Sequence, residues 1–474
     1  MKRIHSLAVT VIFGLLASLA VTACDLDVPD LNNPGLDGLQ DTPTVATVNA
    51  ACTGLLIGGR RNVSTENGYV SELGILGREA YNFDSADPRY VTEMIAGTLS
   101  GASFGANFWA LPYSNIRAAN LILDGLDKVA EFSTTDKSTI RGFAHTMQAI
   151  DLLEVIDTHD TNGAVIDTDQ PIVPPPAAQP LGKIVDKPTT FAAIAKLLDD
   201  GAAELAAGSS SFTFGIPSGF HNDDPKLTFD TPSGFLKFNR AMRARVAVYV
   251  AMATKDYAPA LTALSASFID DTSMVIPFNY GVYFTFSTKS GDIPNGLVNQ
   301  NIYVHPSVAA DAQPGDARVM RKVQLAVDGK GNPRPGAELG LSSTLSFTLY
   351  PTPESPVPQI RNEELLLLKA EALYFTGDKT GATAELNLVR QQSGGLPALA
   401  PAPDDATFVA ELLYERRYSL LFEGGHRWLD LRRFGKPLPL DRATDTANVR
   451  YPIPQAECDA RPGEHACTLG SADP

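Results

Sequence analysis

Apolar positions recur along this chain at offsets of three and four residues in a series of separate stretches, and between those stretches the recurrence stops. Such spacing lays one apolar stripe along a helix. It predicts helices over roughly 44–58, 106–130, 136–157, 189–207, 233–253, 257–268, 361–376, 379–392 and 405–434. The intervening stretches 61–105, 158–188, 208–230 and 270–359 are rich in Gly, Pro, Asn and Asp and keep no helical period. The expected fold is all-α, with helices in pairs and long irregular segments between them. Loops that long inside a globular protein are normally functional.

The last helical stretch has a character of its own. From Glu415-Arg416-Arg417 through Glu423-Gly424-Gly425-His426-Arg427-Trp428-Leu429-Asp430 to Arg432-Arg433-Phe434, acids, arginines and large apolar groups are interleaved. A break at Gly424-Gly425 makes two helices of it. Leu412, Leu413, Leu420, Leu421 and Phe422 then enter a core, while Glu415, Glu423, Arg427 and Asp430 are placed for charge-assisted hydrogen bonds where the helices meet. Together with Arg416, Arg417 and Trp428 they form an expected structural clamp. Upstream, Ala370, Leu373, Gly377, Ala382, Leu386 and Val389 follow the offsets of a tetratricopeptide helix hairpin, in which a small residue lets two helices approach and a Gly turns the chain. A weaker copy spans 245–264. Two imperfect copies are not a tandem array, and by themselves they read as ordinary antiparallel hairpins.

Residues 1–23 begin with Lys2 and Arg3 and continue into the apolar run 7–20, the pattern of an export signal rather than a membrane span. Val21-Thr22-Ala23 before Cys24 resembles a lipobox, which would make Cys24 the site of lipid attachment; the plainer alternative is a secretory signal with an ordinary thiol. Residues 24–43, opening with Asp25 and Asp27, read as an acidic tether, and 44–474 as one domain. The full chain carries a formal charge of -16. No Lys/Arg-rich stripe interrupts that acidity, which argues against nucleic acid and against attraction to anionic lipid. Cys458 and Cys467 sit nine apart in a Pro/Gly-containing tail and are candidates for a disulfide in an oxidising compartment. Cys52 falls in a helical pattern and reads as a buried small hydrophobe.

Catalytic signatures are missing. None of the seven histidines forms the paired helical motif of a zinc protease, and neither a serine-hydrolase elbow nor a phosphate-binding loop occurs. A glycan hydrolase would need two carboxylates paired in space, which sequence cannot show. The expectation is a protein that is not an enzyme and needs no cofactor. Asp157, Asp160, Asn162, Asp167 and Asp169 crowd around Gly163, yet the run fails the EF-hand pattern, and a solvated turn is preferred to a calcium loop. Two aromatic-rich loop clusters suit a ligand that stacks on rings and is oriented by amides and carboxylates. The first is Arg78, Glu79, Tyr81, Asn82, Phe83, Asp84 and Tyr90. The second is Phe278, Asn279, Tyr280, Tyr283, Phe284 and Phe286.

The 415–434 stretch resembles the C-terminal signature of the SusD/RagB family of outer-membrane nutrient-binding lipoproteins. Further matches stand in family order. Trp109, Tyr113, Ile116, Ala119-Asn120 and Ile122-Leu123 resemble an early helix, and Asn362-Glu363-Glu364-Leu365 through Val389-Arg390 resembles the long C-terminal hairpin. Tyr451-Pro452-Ile453-Pro454 resembles the closing segment. Two departures are His145, Met147 and Gln148 in the second helix, and the missing short turn after it. The resemblance implies a tetratricopeptide-like helix-hairpin scaffold with a large irregular ligand face. It further implies a lipid-anchored, cell-surface-facing protein that captures oligosaccharides or peptides and delivers them to a SusC-like TonB-dependent transporter. The rival reading is a tetratricopeptide-like envelope scaffold that binds protein partners.

Overall fold

The computed structural model describes residues 39, 42–170, 180–271 and 277–472. The signal segment 1–23, Cys24 and most of the 24–43 tether lie outside the described residues. The chain is predominantly helical. Its principal helices are α1 (Val45–Gly58), α2 (Tyr69–Leu76), α3 (Asn107–Leu126), α4 (Thr134–His159), α5 (Lys187–Ala206), α6 (Pro232–Thr254), α7 (Ala258–Ser265), α8 (Asn362–Phe375), α9 (Lys379–Gln392), α10 (Asp405–Ser419) and α11 (His426–Arg433). Short polar residues at their starts explain many of these boundaries. Ser133 accepts a hydrogen bond from Asp136 N at 3.1 Å, Asp186 from Thr189 N at 2.9 Å, Asp378 from Gly381 N at 2.8 Å and Asp404 from Thr407 N at 2.8 Å, each satisfying an amide that the helix leaves free.

Helices α3 to α7 zigzag, each packing on the next, and α1 lies against α3. Where α4 crosses α5 the backbones touch: a side chain on Gly142 would stand 2.6 Å from the Gly201 carbonyl oxygen, and one on Gly201 would stand 2.9 Å from that of Gly142. Helices α8 and α9 form the expected hairpin, which packs on α6, α7 and α10. Tyr374 of α8 stacks on Phe408 of α10 with ring centroids 3.7 Å apart, inside a small core shared by α8, α9 and α10.

β-structure among the described residues is limited to two-stranded ribbons and isolated bridges. Ala80–Asn82 pairs antiparallel with Ile302–Val304, Tyr81 opposite Tyr303, and Gly281–Phe284 pairs with Val357–Arg361 through a bulge. These ribbons pin the long segments to the helices. Beneath them lies a second large core that includes Phe108, Phe422, Trp428 and Tyr451. The all-α expectation therefore holds for the scaffold. The 61–105 stretch nonetheless contains α2, whose Val70 to Leu76 are all buried, so no polar face marks its period.

The 405–434 stretch is two helices, α10 and α11, as expected. The first stops at Ser419, and Phe422 takes a left-handed conformation with φ 56° before the two glycines. It is held there by its neighbours: its ring stacks on Phe347 at 4.0 Å, and its carbonyl oxygen accepts a hydrogen bond from the Tyr350 hydroxyl at 2.9 Å.

Candidate ligand-binding face

The acid and arginine residues of α10 and α11 bind more of the molecule than each other. Arg416 Nε lies 2.6 Å from Asp430 Oδ2, the link expected between the two helices. Glu415 instead receives Arg318 at 2.5 Å and Arg390 of α9 at 2.8 Å, and Glu423 receives Arg361 at 2.7 Å and Lys322 at 2.9 Å. Arg417 reaches Asp311 at 2.8 Å. Trp428 is buried, donates to the Asn448 carbonyl oxygen at 2.9 Å and carries Arg432 over its ring at 3.7 Å. Arg427 makes no ion pair among the described residues; burial, with Arg417 nearby, pulls it down to about 10. The clamp thus gathers segments separated by up to about a hundred residues.

Most of the loop residues expected to touch ligand are interior. Arg78, Glu79, Tyr81, Asn82 and Tyr280 are buried. Arg78 is 2.6 Å from Asp441, Tyr81 donates its hydroxyl to the same carboxylate, and His305 Nε2 stands 2.8 Å from it. Asn82 donates to Glu66 at 3.0 Å, and Tyr280 donates to the Leu227 carbonyl oxygen. The expectation is corrected for these five: Tyr81 and Asn82 lie in a strand covered on both faces, Arg78 is turned inward to Asp441, Glu79 accepts from the Phe422 amide, and Tyr280 packs in the helical core. Tyr283 and Phe284 are half-buried and Asn279 is exposed. Cys458 and Cys467 are joined in a disulfide, and Cys52 is buried as a free thiol. In the 157–169 loop, Asp160 turns to Lys187, and Asn162 donates to the Tyr451 carbonyl oxygen at 2.8 Å, so the oxygens do not share one centre.

Tyr90 differs from the other members of the first cluster, for it lines a recess of about 160 Å³ built from 67–108. Tyr90, Phe104 and Phe108 are its buried rings, with Tyr90 and Phe104 4.9 Å apart. Asn67, Arg89 and Asn107 stand exposed around it, with Asp87 and Ser103 half-buried. Arg89 grips Asp87 through two nitrogens, at 2.8 and 2.6 Å, and holds its guanidinium 4.9 Å above the Phe104 ring. At the back, Glu72 is buried and receives the Tyr451 hydroxyl at 2.8 Å. Burial pushes its carboxyl up to about 8 against the pull of that hydrogen bond and of Arg89. The buried rings close the recess, and the exposed amides of Asn67 and Asn107 with the Arg89 guanidinium offer the hydrogen-bonding groups that suit a polyhydroxylated ring. Residue patterns flagged the segment and Tyr90 but missed Asn67, Glu72, Arg89, Phe104 and Asn107, whose convergence is made only by the fold.

Three further cavities run in series on another side. A surface groove of about 620 Å³ lies between α5 and α6, with Lys187, Phe191, Tyr249, Arg432 and Arg433 at its inner wall. Those five residues also line a small pocket of about 30 Å³, which shares Asp157, Tyr249 and Leu429 with a cavity of about 90 Å³ between α4 and α6. Among the described residues no helix is long and apolar enough to cross a membrane.

The architecture defines the class: a tetratricopeptide-like helix-hairpin scaffold with an irregular, loop-built face. The SusD family model matches residues 350–453, the segment holding the hairpin and the clamp. A laminarin-binding SusD-like protein of solved structure is similar at 18% identity with a TM-score of 0.61, the alignment covering 88% of this chain and 97% of that one. SusD superfamily proteins from Bacteroides vulgatus (15% identity, TM-score 0.62, 90% and 98% covered) and Bacteroides thetaiotaomicron (15%, 0.64, 89% and 98%) share the fold as well. No curated protein matches the chain. Residues 350–453 thus carry the SusD family segment, and the chain as a whole shares the fold of the solved SusD-like structures.

Proposed function

We propose that this protein captures a glycan at the outer surface of a bacterial outer membrane and passes it to a TonB-dependent β-barrel transporter, without chemical change to the ligand. The observation that carries the reading is the 67–108 recess, where rings, amides and a guanidinium converge on a volume of about 160 Å³. That volume admits one ring-sized unit, so the recess would grip a single sugar residue of a longer chain. The fold shared with a laminarin-binding SusD-like protein supports a carbohydrate over a peptide. Lipid attachment at Cys24 would keep the protein beside its transporter; several acyl chains anchor where one does not.

The test is a glycan and peptide binding screen on protein lacking residues 1–24, followed by uptake measurements after deletion of its gene. Saturable binding of one glycan class, unchanged glycan after incubation and slower uptake of that class are expected. Binding of no glycan, or release of shorter products, would overturn the proposal.

A further inference from the structure

The cavity of about 90 Å³ between α4 and α6 is lined by three carboxylates from one helix, Asp151, Glu154 and Asp157, spaced three residues apart on α4. None of the three makes an ion pair within 4.0 Å among the described residues. Asp151 accepts a hydrogen bond from Asn115 at 2.8 Å, whereas Glu154 Oε1 is shut off from solvent with no hydrogen-bond partner. The nearby guanidinium is already committed: Arg245 of α6 holds Glu364 through two nitrogens, both at 2.7 Å, and the Gln359 carbonyl oxygen at 2.6 Å. Glu423, also on the wall, is held by Arg361 and Lys322.

Two more polar groups line this cavity with nothing to bond. Tyr249 is 8% exposed and His426 is 7% exposed, and neither the Tyr249 hydroxyl nor His426 Nδ1 has a hydrogen-bond partner. Burial holds His426 down at about 4, so its ring is neutral, and Nδ1 accepts in the tautomer that keeps the proton on Nε2, 3.9 Å from Glu364. Three carboxyls, a hydroxyl and a ring nitrogen therefore border a small and largely apolar space, where burial raises all three carboxyls and a charged one without a partner is costly. Among the described residues no three metal-ligating groups converge closely enough to hold a metal ion. Acceptors spread around the wall suit instead a cation that carries its own N–H donors in several directions.

We propose that this cavity is a binding site for a small ammonium group, separate from the recess at 67–108. The ammonium donates to the α4 carboxylates, with Tyr249 and His426 as further acceptors. The small pocket and the groove between α5 and α6 adjoin it, with Tyr249 on the wall of all three spaces.

The experiment follows thermal unfolding of the chain without residues 1–24 at constant ionic strength and mildly alkaline pH. Ammonium, methylammonium, potassium, tetramethylammonium and calcium chlorides are compared. A saturable rise in Tm is expected with ammonium and not with potassium or tetramethylammonium. Methylammonium matching ammonium assigns the site to the amine of a larger ligand, and ammonium alone assigns it to the free ion. Glu154→Gln should fold, because it is isosteric and replaces a half-buried carboxylate that holds no ion pair among the described residues, and should lose the ammonium response. Tyr249→Phe keeps the ring and should weaken half-saturation about tenfold. An equal response to potassium or tetramethylammonium, a stronger one to calcium, or an undiminished ammonium response in Glu154→Gln overturns the proposal.

Discussion

Arg416 of α10 and Asp430 of α11 meet at 2.6 Å across the 420–425 break, with both side chains withdrawn from solvent. The two terminal nitrogens of Arg416 have no other partner. Asp430→Ala would leave that cation buried and alone, and should destabilise the protein by about 3–5 kcal/mol in urea denaturation. Replacing both residues by apolar ones of similar size should recover most of the loss; a cost below about 1 kcal/mol for Asp430→Ala would show that the pair does not tie the helices.

Gly425 opens α11 at φ 70°, and a side chain there would stand 2.4 Å from the Leu73 Cβ. Strain and overpacking add, so Gly425→Ala should cost about 2–4 kcal/mol. A melting temperature within error of wild type would contradict the close packing of α2 on the break.

Glu72 gives a pH-dependent prediction. Its carboxyl is raised in the folded state, so its contribution to stability is fully present below the unfolded value near 4.5 and is lost as pH rises through about 8. Glu72→Gln should therefore be the more stable form in mildly alkaline buffer, by on the order of a few kcal/mol, with the gap closing below about pH 4.5. A gap independent of pH would refute the buried-carboxyl account.

At the recess, Arg89→Ala removes an exposed guanidinium whose pairing with Asp87 contributes little to stability, within about 0.5 kcal/mol. It should still weaken glycan binding about tenfold in calorimetry, the loss of one charge-assisted contact. Phe104→Ala should abolish binding and also destabilise, as a buried ring. Full affinity in Arg89→Ala would move the glycan site elsewhere.

The Cys458–Cys467 disulfide closes a short loop at the end of the described chain. Replacing both with Ser should lower stability by on the order of 2–3 kcal/mol and leave glycan binding intact. In the native state Cys52 should resist thiol reagents, since burial raises its thiol far above the ordinary range.

The helices were legible where one face stays polar: α6 spans 232–254 against an expected 233–253, and α9 spans 379–392 as read. Helix α2 was not, because its burial on every side erases the period. The clamp residues were visible as residues, but the cations that pair with its glutamates were not. Arg318, Lys322, Arg361 and Arg390 lie in segments with no local reason to meet Glu415 or Glu423. The aromatic loop residues show the opposite error. Tyr81 and Asn82 have the side chains of a ligand platform, yet pairing of 80–82 with Ile302–Val304 turns them into the core. Composition marks what a residue can touch, and long-range pairing decides whether it faces solvent.

The hydroxyl of Tyr451 reaches Glu72 across 379 positions of chain. During synthesis the aromatic recess at 67–108 therefore lacks its rear support until residues far downstream have arrived. A fragment cut anywhere between 109 and 450 would carry every rim residue and still present an unfinished pocket, so competence to bind reports completion of the whole body.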